Sequence, residues 1–157
     1  NMAIVQPCNV YGPWDNFDPE NAMVIPSLMA RIAQKETPLS VWGDGSAIRD
    51  FAYSDDVALG TIQALRFGTG GEFVNLGSGK GHTIRELVET LNQFIDFRYE
   101  FDTSKPSGFP KRVMSIEKAR EKINYDPQTS LRKGLNTTWE WFLSNRNEYL
   151  NRKNYFK

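Results

Sequence analysis

Arg31, Trp42 and Arg49 are the side chains whose chemistry suits a nucleoside diphosphate. A guanidinium is a planar fork that matches phosphate oxygens two at a time, and an indole face stacks on a base or a ribose. On residue types alone, solvated arginines and a core tryptophan are the commoner outcome. The stretch that would bring chemistry to them is Gln6-Pro7-Cys8-Asn9-Val10-Tyr11-Gly12-Pro13, directly after the apolar run Met2 to Val5. An apolar run closed by Pro, Asn and Gly reads as a buried strand that stops abruptly in a loop. In an open α/β sheet, ligands sit just beyond the carboxyl ends of the strands, which makes this loop the expected site. An ordinary turn is the alternative.

Other motifs carry less. Gly77-Ser78-Gly79-Lys80-Gly81 lies between a strand and a helix, the setting of a dinucleotide fingerprint, but its third glycine comes too early. A phosphate loop would need a glycine five residues before Gly79, so a plain strand-to-helix turn is expected. Tyr149 and Lys153 have the YxxxK spacing in which a lysine lowers a tyrosine pKa for proton transfer. They fall in a polar tail with no strand behind them, which favours coincidence. His82 is the only histidine and no cysteine lies near it, so it is expected in a turn and metal chemistry is rejected.

These residues need a scaffold, and the apolar periodicities supply one. Strands are expected at 2–7, 39–42, 50–53, 72–76 and 97–101, with an unstructured loop from Tyr11 to Asn21. A helix from Ile25 to Lys35 would bury Ile25, Leu28, Met29 and Ile32, with Pro26 in its first turn and Arg31 off that face. Ser54 is placed to cap a helix carrying Val57, Ile62 and Leu65, with Asp55 and Asp56 at its positive end. Thr83-Ile84-Arg85-Glu86 is a capping box before a helix that buries Ile84, Leu87, Val88, Leu91 and Ile95. Asp102 to Pro110 is a loop, Ser115 to Ile123 a short basic helix, and Ser130 to Leu143 an amphipathic one. The tail from Ser144 is expected to fray. Strands alternating with helices give an α/β class.

Composition narrows the function classes. Nineteen basic and 19 acidic side chains leave no net field for nucleic acid or an anionic membrane. In the basic tail (Arg146, Arg152, Lys153, Lys157) the aromatic interleaving of a nucleic-acid binder is sparse. No apolar run approaches the roughly 18 residues that span a bilayer. The single cysteine, Cys8, excludes an internal disulfide and fits a reducing cytosol, so a cytoplasmic location is expected. At 157 residues the chain suits one domain, yet it opens inside a strand with no leading cap. That opening suggests a piece of something longer.

The runs NVYGPWDNFDPENAMVIPSL, PLSVWGDGSAIRDFAYSDDVA and FVNLGSGKGHTIREL resemble the nucleotide-sugar branch of the extended short-chain dehydrogenase/reductase (NAD-dependent epimerase/dehydratase) family. FDTSKPSGFPKR and TTWEWFL are most similar to its GDP-L-fucose synthase group. The resemblance covers nearly the whole chain and matches the family's C-terminal half. It implies late strands and helices of a Rossmann sheet plus the small substrate-binding α/β subdomain over residues 1–145, followed by a polar tail at 146–157. It also implies NAD or NADP as cofactor, with Pro7, Cys8, Asn9 and Val10 lining the nicotinamide end. Arg31, Trp42 and Arg49, with Asp102 as a weaker candidate, would hold a nucleoside-diphosphate sugar. The family's N-terminal Rossmann half, with its Gly-rich cofactor loop and catalytic Tyr and Lys, is missing from this chain.

One departure bears on chemistry. Where the GDP-L-fucose synthase group carries a histidine that serves as an acid in epimerisation, this sequence has Met23. A thioether donates no proton, which puts a 3,5-epimerase role in doubt and leaves a 4-keto reductase or a hydride-shuttling 4-epimerase. The expectation is therefore the substrate-binding half of an NAD(P)-dependent nucleotide-sugar epimerase/reductase, acting on an NDP-4-keto-6-deoxy sugar or NDP-hexose and inactive alone. The alternative is a non-catalytic sugar-nucleotide binder or truncated remnant that self-associates into a homo-oligomer through an exposed strand edge.

Overall fold

The structure, a computed structural model, describes residues 2–18 and 21–150. Its elements, in chain order, are β1 (Ile4–Pro7), β2 (Asn9–Tyr11), α1 (Val24–Ala33), β3 (Leu39–Trp42), β4 (Ile48–Tyr53), α2 (Ser54–Phe67) and β5 (Phe73–Leu76). β6 (Gly81–Thr83), α3 (Ile84–Asn92), β7 (Tyr99–Asp102), β8 (Lys111–Arg112), α4 (Glu117–Ile123) and α5 (Leu131–Leu150) follow. The class is mixed α/β, as the alternating periodicities require. β1 pairs with β5, β2 with β4 and β3 with β7, all in parallel. Strand β4 is the hub: residues 48–50 pair with β6 and β8, and residues 51–53 with β2.

Two cores sit on this frame. One gathers α1, β3, α3 and α5, with Ile25, Met29, Leu39, Leu87, Leu91 and Leu135 nearly sealed from water. The other lies under α2 and α4 around Val74, Leu76, Ile123 and Tyr125. The α1 face expected from its spacing is the buried one, and the Thr83–Glu86 capping box forms with both reciprocal hydrogen bonds.

Several expectations are corrected. The stretch after β1 is not a loop: Cys8 breaks the strand for one residue, and Asn9–Tyr11 resumes as β2 beside Phe51–Tyr53. Tyr11 is buried there, and burial against a neighbouring strand outweighs the turn propensity of the adjacent Asn and Gly. His82 lies not in a turn but in β6, opposite Arg49. Ser54 starts α2 without capping it, the N-cap being Tyr53. On α2 the inward residues are Asp56, Gly60 and Ala64, whereas Ile62 and Leu65 are 61% and 75% exposed. Close approach of the helix backbone to Tyr125 and Leu76 selects the small side chains for the inner face. Helix α5 does not fray at Ser144 but runs to Leu150. Tyr149 lies within it, and Arg152, Lys153 and Lys157 lie outside the described residues.

Candidate functional site

A cavity of about 580 Å³ opens between the start of α1, the end of β3, the middle of β4 and the loop before β8. Its wall contains Asn9, Met23, Arg31, Trp42 and Arg49, so five of the residues singled out from the sequence share one hollow. Ala22, Val24, Ser27, Leu28, Val41, Phe51, Ile84, Pro106 and Ser107 complete the lining. Each arrives by simple periodicity. Arg49 and Phe51 project from the same face of β4 because alternate strand residues do. Arg31 follows Leu28 and Ser27 by one helical turn and falls on the same side.

Arg31 does not present its fork to the cavity. Its Nε donates to Glu36 Oε2 at 2.7 Å, and Nη2 donates to Glu36 Oε1 and to the Ser40 carbonyl at 2.6 Å. Ser40 N–H in turn donates to Glu36 Oε1 at 3.2 Å. Bidentate pairing fixes the guanidinium, and Arg31's hydrogen bonds hold the Glu36 carboxyl below its usual range. Among the described residues the two N–H groups of Nη1 have no such partner. The Nε and Nη2 edge of the fork is therefore occupied by the protein's own acceptors and is not open for bidentate binding.

Arg49 is pinned differently. Nη1 donates to the carbonyls of Ile48 (2.8 Å) and Phe109 (2.6 Å), while Nη2 reaches the Ser107 carbonyl at 3.4 Å. It stitches the loop before β8 onto β4, and among the described residues no carboxylate is paired with it. Trp42 is 61% exposed at the rim, and Lys105 Nζ lies 6.0 Å from its ring centroid. Lys105, together with Pro106 and Ser107, was legible in the sequence only as loop. The signal that would have found them is a lysine beside a Pro-Ser-Gly turn, and it means little without knowing where the loop folds back.

Other candidates stand apart from the cavity. Asp102 ends β7 and closes a turn, its Oδ1 accepting the Ser104 N–H at 3.0 Å and the Ser104 hydroxyl. Those bonds lower its pKa, and the carboxylate is spent on local structure. Pro7, Cys8 and Val10 are not part of the cavity wall; of that segment Asn9 alone reaches it. Burial and the neighbouring Asp50 carboxylate push the Cys8 thiol up to about 12. Among the described residues no group of His, Cys, Asp or Glu has the arrangement of a metal site. No helix there is long and apolar enough to cross a membrane.

The glycine-rich turn at 77–81 holds an anion, but the protein's own. The N–H groups of Ser78 and Gly79 both point at Asp50, at 2.8 and 3.2 Å. The turn's N–H groups are thus taken by an internal carboxylate, in keeping with a plain strand-to-helix turn.

Residues 1–77 match the NAD dependent epimerase/dehydratase family. Over 145 residues the chain is 40% identical to GDP-L-fucose synthase 1 of Arabidopsis thaliana, an alignment covering 88% of this chain and 45% of that protein. It is 34% identical to dTDP-4-dehydro-6-deoxy-D-allose reductase of Streptomyces bikiniensis, covering 90% of this chain and 43% of the relative. Among solved structures, UDP-glucuronic acid 4-epimerase from Bacillus cereus, in complex with UDP-glucuronic acid and NAD, superposes with a TM-score of 0.78. Identity there is 28%, over 90% of this chain and 45% of the other. The chain spans a little under half the length of these proteins.

Proposed function

We infer that this chain, a relative of the NAD dependent epimerase/dehydratase family, is the nucleotide-sugar-binding portion of an NAD(P)-dependent epimerase/reductase. The observation that carries the reading is the convergence of Arg31, Trp42, Arg49 and Asn9 on one hollow. Arg49 and the free nitrogen of Arg31 would neutralise a diphosphate from two sides, and Trp42 at the rim would stack on the base or ribose. Residues 1–145 form the binding portion, with 146–157 as its polar tail. NAD or NADP supplies or takes the hydride in the complete enzyme, and this chain's part is to hold the sugar carbon beside Asn9. The described part of the chain contributes no diphosphate cradle and no paired Tyr and Lys, so those groups belong to the missing N-terminal Rossmann half.

The cavity wall argues for simple hydride chemistry. Among the described residues its only charged members are Arg31 and Arg49, and a guanidinium is not a general acid. Met23, 56% exposed, faces the space where an acid would act. A 4-keto reductase or a 4-epimerase needs no proton donor on this wall, whereas 3,5-epimerisation does. The similarity to a dTDP-4-dehydro-6-deoxy-D-allose reductase points the same way. Titration calorimetry with GDP, UDP and dTDP sugars tests the binding reading, which fails if none binds. Keto-sugar reduction with NADPH tests the division of labour, and turnover by the isolated chain would overturn it.

A second reading, self-association, rests on a separate surface. Met2, Ile4 and Phe73 are 77%, 40% and 51% exposed, and Ile4 and Phe73 are direct partners across β1 and β5. Beside them, β1 pairs with β5 alone among the described strands. An open apolar face next to a free strand edge invites pairing. In the complete enzyme the missing half covers it; in the isolated chain a second copy does. Light scattering distinguishes a monomer from that dimer. A soluble chain with one reduced cysteine suits the cytoplasm.

A further inference from the structure

Asp50 is 1% exposed and, among the described residues, is paired with no cationic side chain. A carboxylate so buried is tolerated only when donors surround it. Oδ1 accepts the Ser78 N–H at 2.8 Å and the Ser78 hydroxyl at 2.6 Å. Oδ2 accepts the Gly79 N–H at 3.2 Å and the Met114 N–H at 3.3 Å. The Asp50 carboxylate also acts on the neighbouring Cys8 thiol, whose pKa burial and that charge raise together. A Cβ at residue 77 would lie 2.5 Å from Oδ2, although the Gly77 backbone has no positive φ. The glycine is there to admit the carboxylate, not to make the turn.

The same residue governs the cavity wall. Its carbonyl accepts Asn9 Nδ2 at 2.8 Å, and its neighbours in β4, Arg49 and Phe51, both face the hollow. Arg49 carries the Ser107 and Phe109 carbonyls, and Met114 lies just beyond β8. The Asp50 side chain therefore ties the 78–79 turn and Met114 to β4, while its backbone carbonyl holds Asn9. We propose that Asp50 is the positioning residue of this site, holding the Cys8–Asn9 segment, β4 and the β8 segment at the spacing that diphosphate binding requires. It touches no ligand itself, and the assignment rests on the nucleotide-binding reading above.

The test uses the full chain and its Asp50→Asn, Ser78→Ala and Gly77→Ala variants, with GDP, UDP and dTDP titrations and the alkylation rate of Cys8, the only cysteine. An amide turns one acceptor into a donor facing N–H groups, so Asp50→Asn should weaken nucleotide binding at least tenfold and speed alkylation. Gly77→Ala displaces the carboxylate with its charge intact and should weaken binding to a similar extent. Ser78→Ala removes one donor and should weaken binding about threefold. A role in stability alone would lower the melting temperature and leave the affinity of the folded chain unchanged. That result, or a folded Asp50→Asn binding within twofold of wild type, overturns the proposal. If Asp50→Asn does not fold, Ser78→Ala decides, and unchanged affinity there is equally fatal. No binding by the wild-type chain sinks the nucleotide reading and this proposal with it; equal binding by wild type and variants sinks this proposal alone.

Discussion

Replacing Trp42 with alanine separates the site from the fold more cleanly than any other change. The indole is 61% exposed and lies at the end of β3, beyond the buried Leu39 and Val41. Truncating it removes little buried surface, so the cost to stability should stay within about 0.5 kcal/mol, as for ordinary surface positions. The ligand would lose a stacking face, which for a base on an aromatic ring is worth about 1–3 kcal/mol. At 1.4 kcal/mol per factor of ten, that is a rise in Kd of about 5- to 150-fold. Trp42→Phe retains most of the face and should recover most of the affinity. Calorimetric titration with GDP, UDP and dTDP sugars reads the first quantity, and thermal melting of the same samples reads the second. A Trp42→Ala chain with unchanged melting and a Kd within twofold of wild type would refute the stacking role.

Glu36 provides a pH test. Arg31 holds its pKa below the ordinary value of 4.5, so the pair's stabilisation is complete above that pH and lost as pH falls through the lower folded value. The melting-temperature gap between wild type and Glu36→Gln should therefore close on acidification below pH 4.5, and a gap that widens would contradict the pairing. Cys8 has the opposite sign: its thiol, raised from 9.0 to about 12, contributes stability below pH 9 that disappears as pH rises between those values. Denaturant titrations at both ends of that window should show Cys8→Ala converging with wild type at high pH. Gly60→Ala would place a Cβ 2.7 Å from the Tyr125 ring and 2.8 Å from Leu76. Overpacking costs about 1–3 kcal/mol, more than the roughly 1 kcal/mol of helix propensity gained, so the denaturation midpoint should fall. An equal or higher midpoint would mean that α2 can lift away.

The local rules were readable from the chain itself. Spacing of Ile25, Leu28, Met29 and Ile32 defined the buried face of α1, and Thr83 with Glu86 defined the start of α3, because both depend on contacts within one helical turn. β3 was legible end to end because its short apolar run stops at a Gly-Asp-Gly turn. The side chains of the cavity were also legible as types: two guanidinium groups, an indole, and a thioether where an acid was expected.

What those types are used for was decided by partners distant in sequence. Carbonyls near residue 109 take one edge of Arg49, and even the nearer Glu36 and Ser40 reach the fork of Arg31 only because the chain turns back from α1 into β3. β2 exists because Phe51–Tyr53 lies beside it, and Ile62 and Leu65 face outward because Tyr125 and Leu76 leave room only for Gly60. The glycine-rich turn binds an anion as its composition suggests, but the anion is Asp50, 28 residues away from Ser78. Periodicity reports which face of an element is apolar; which polar groups satisfy one another depends on strand order and loop closure, and these belong to the tertiary structure alone.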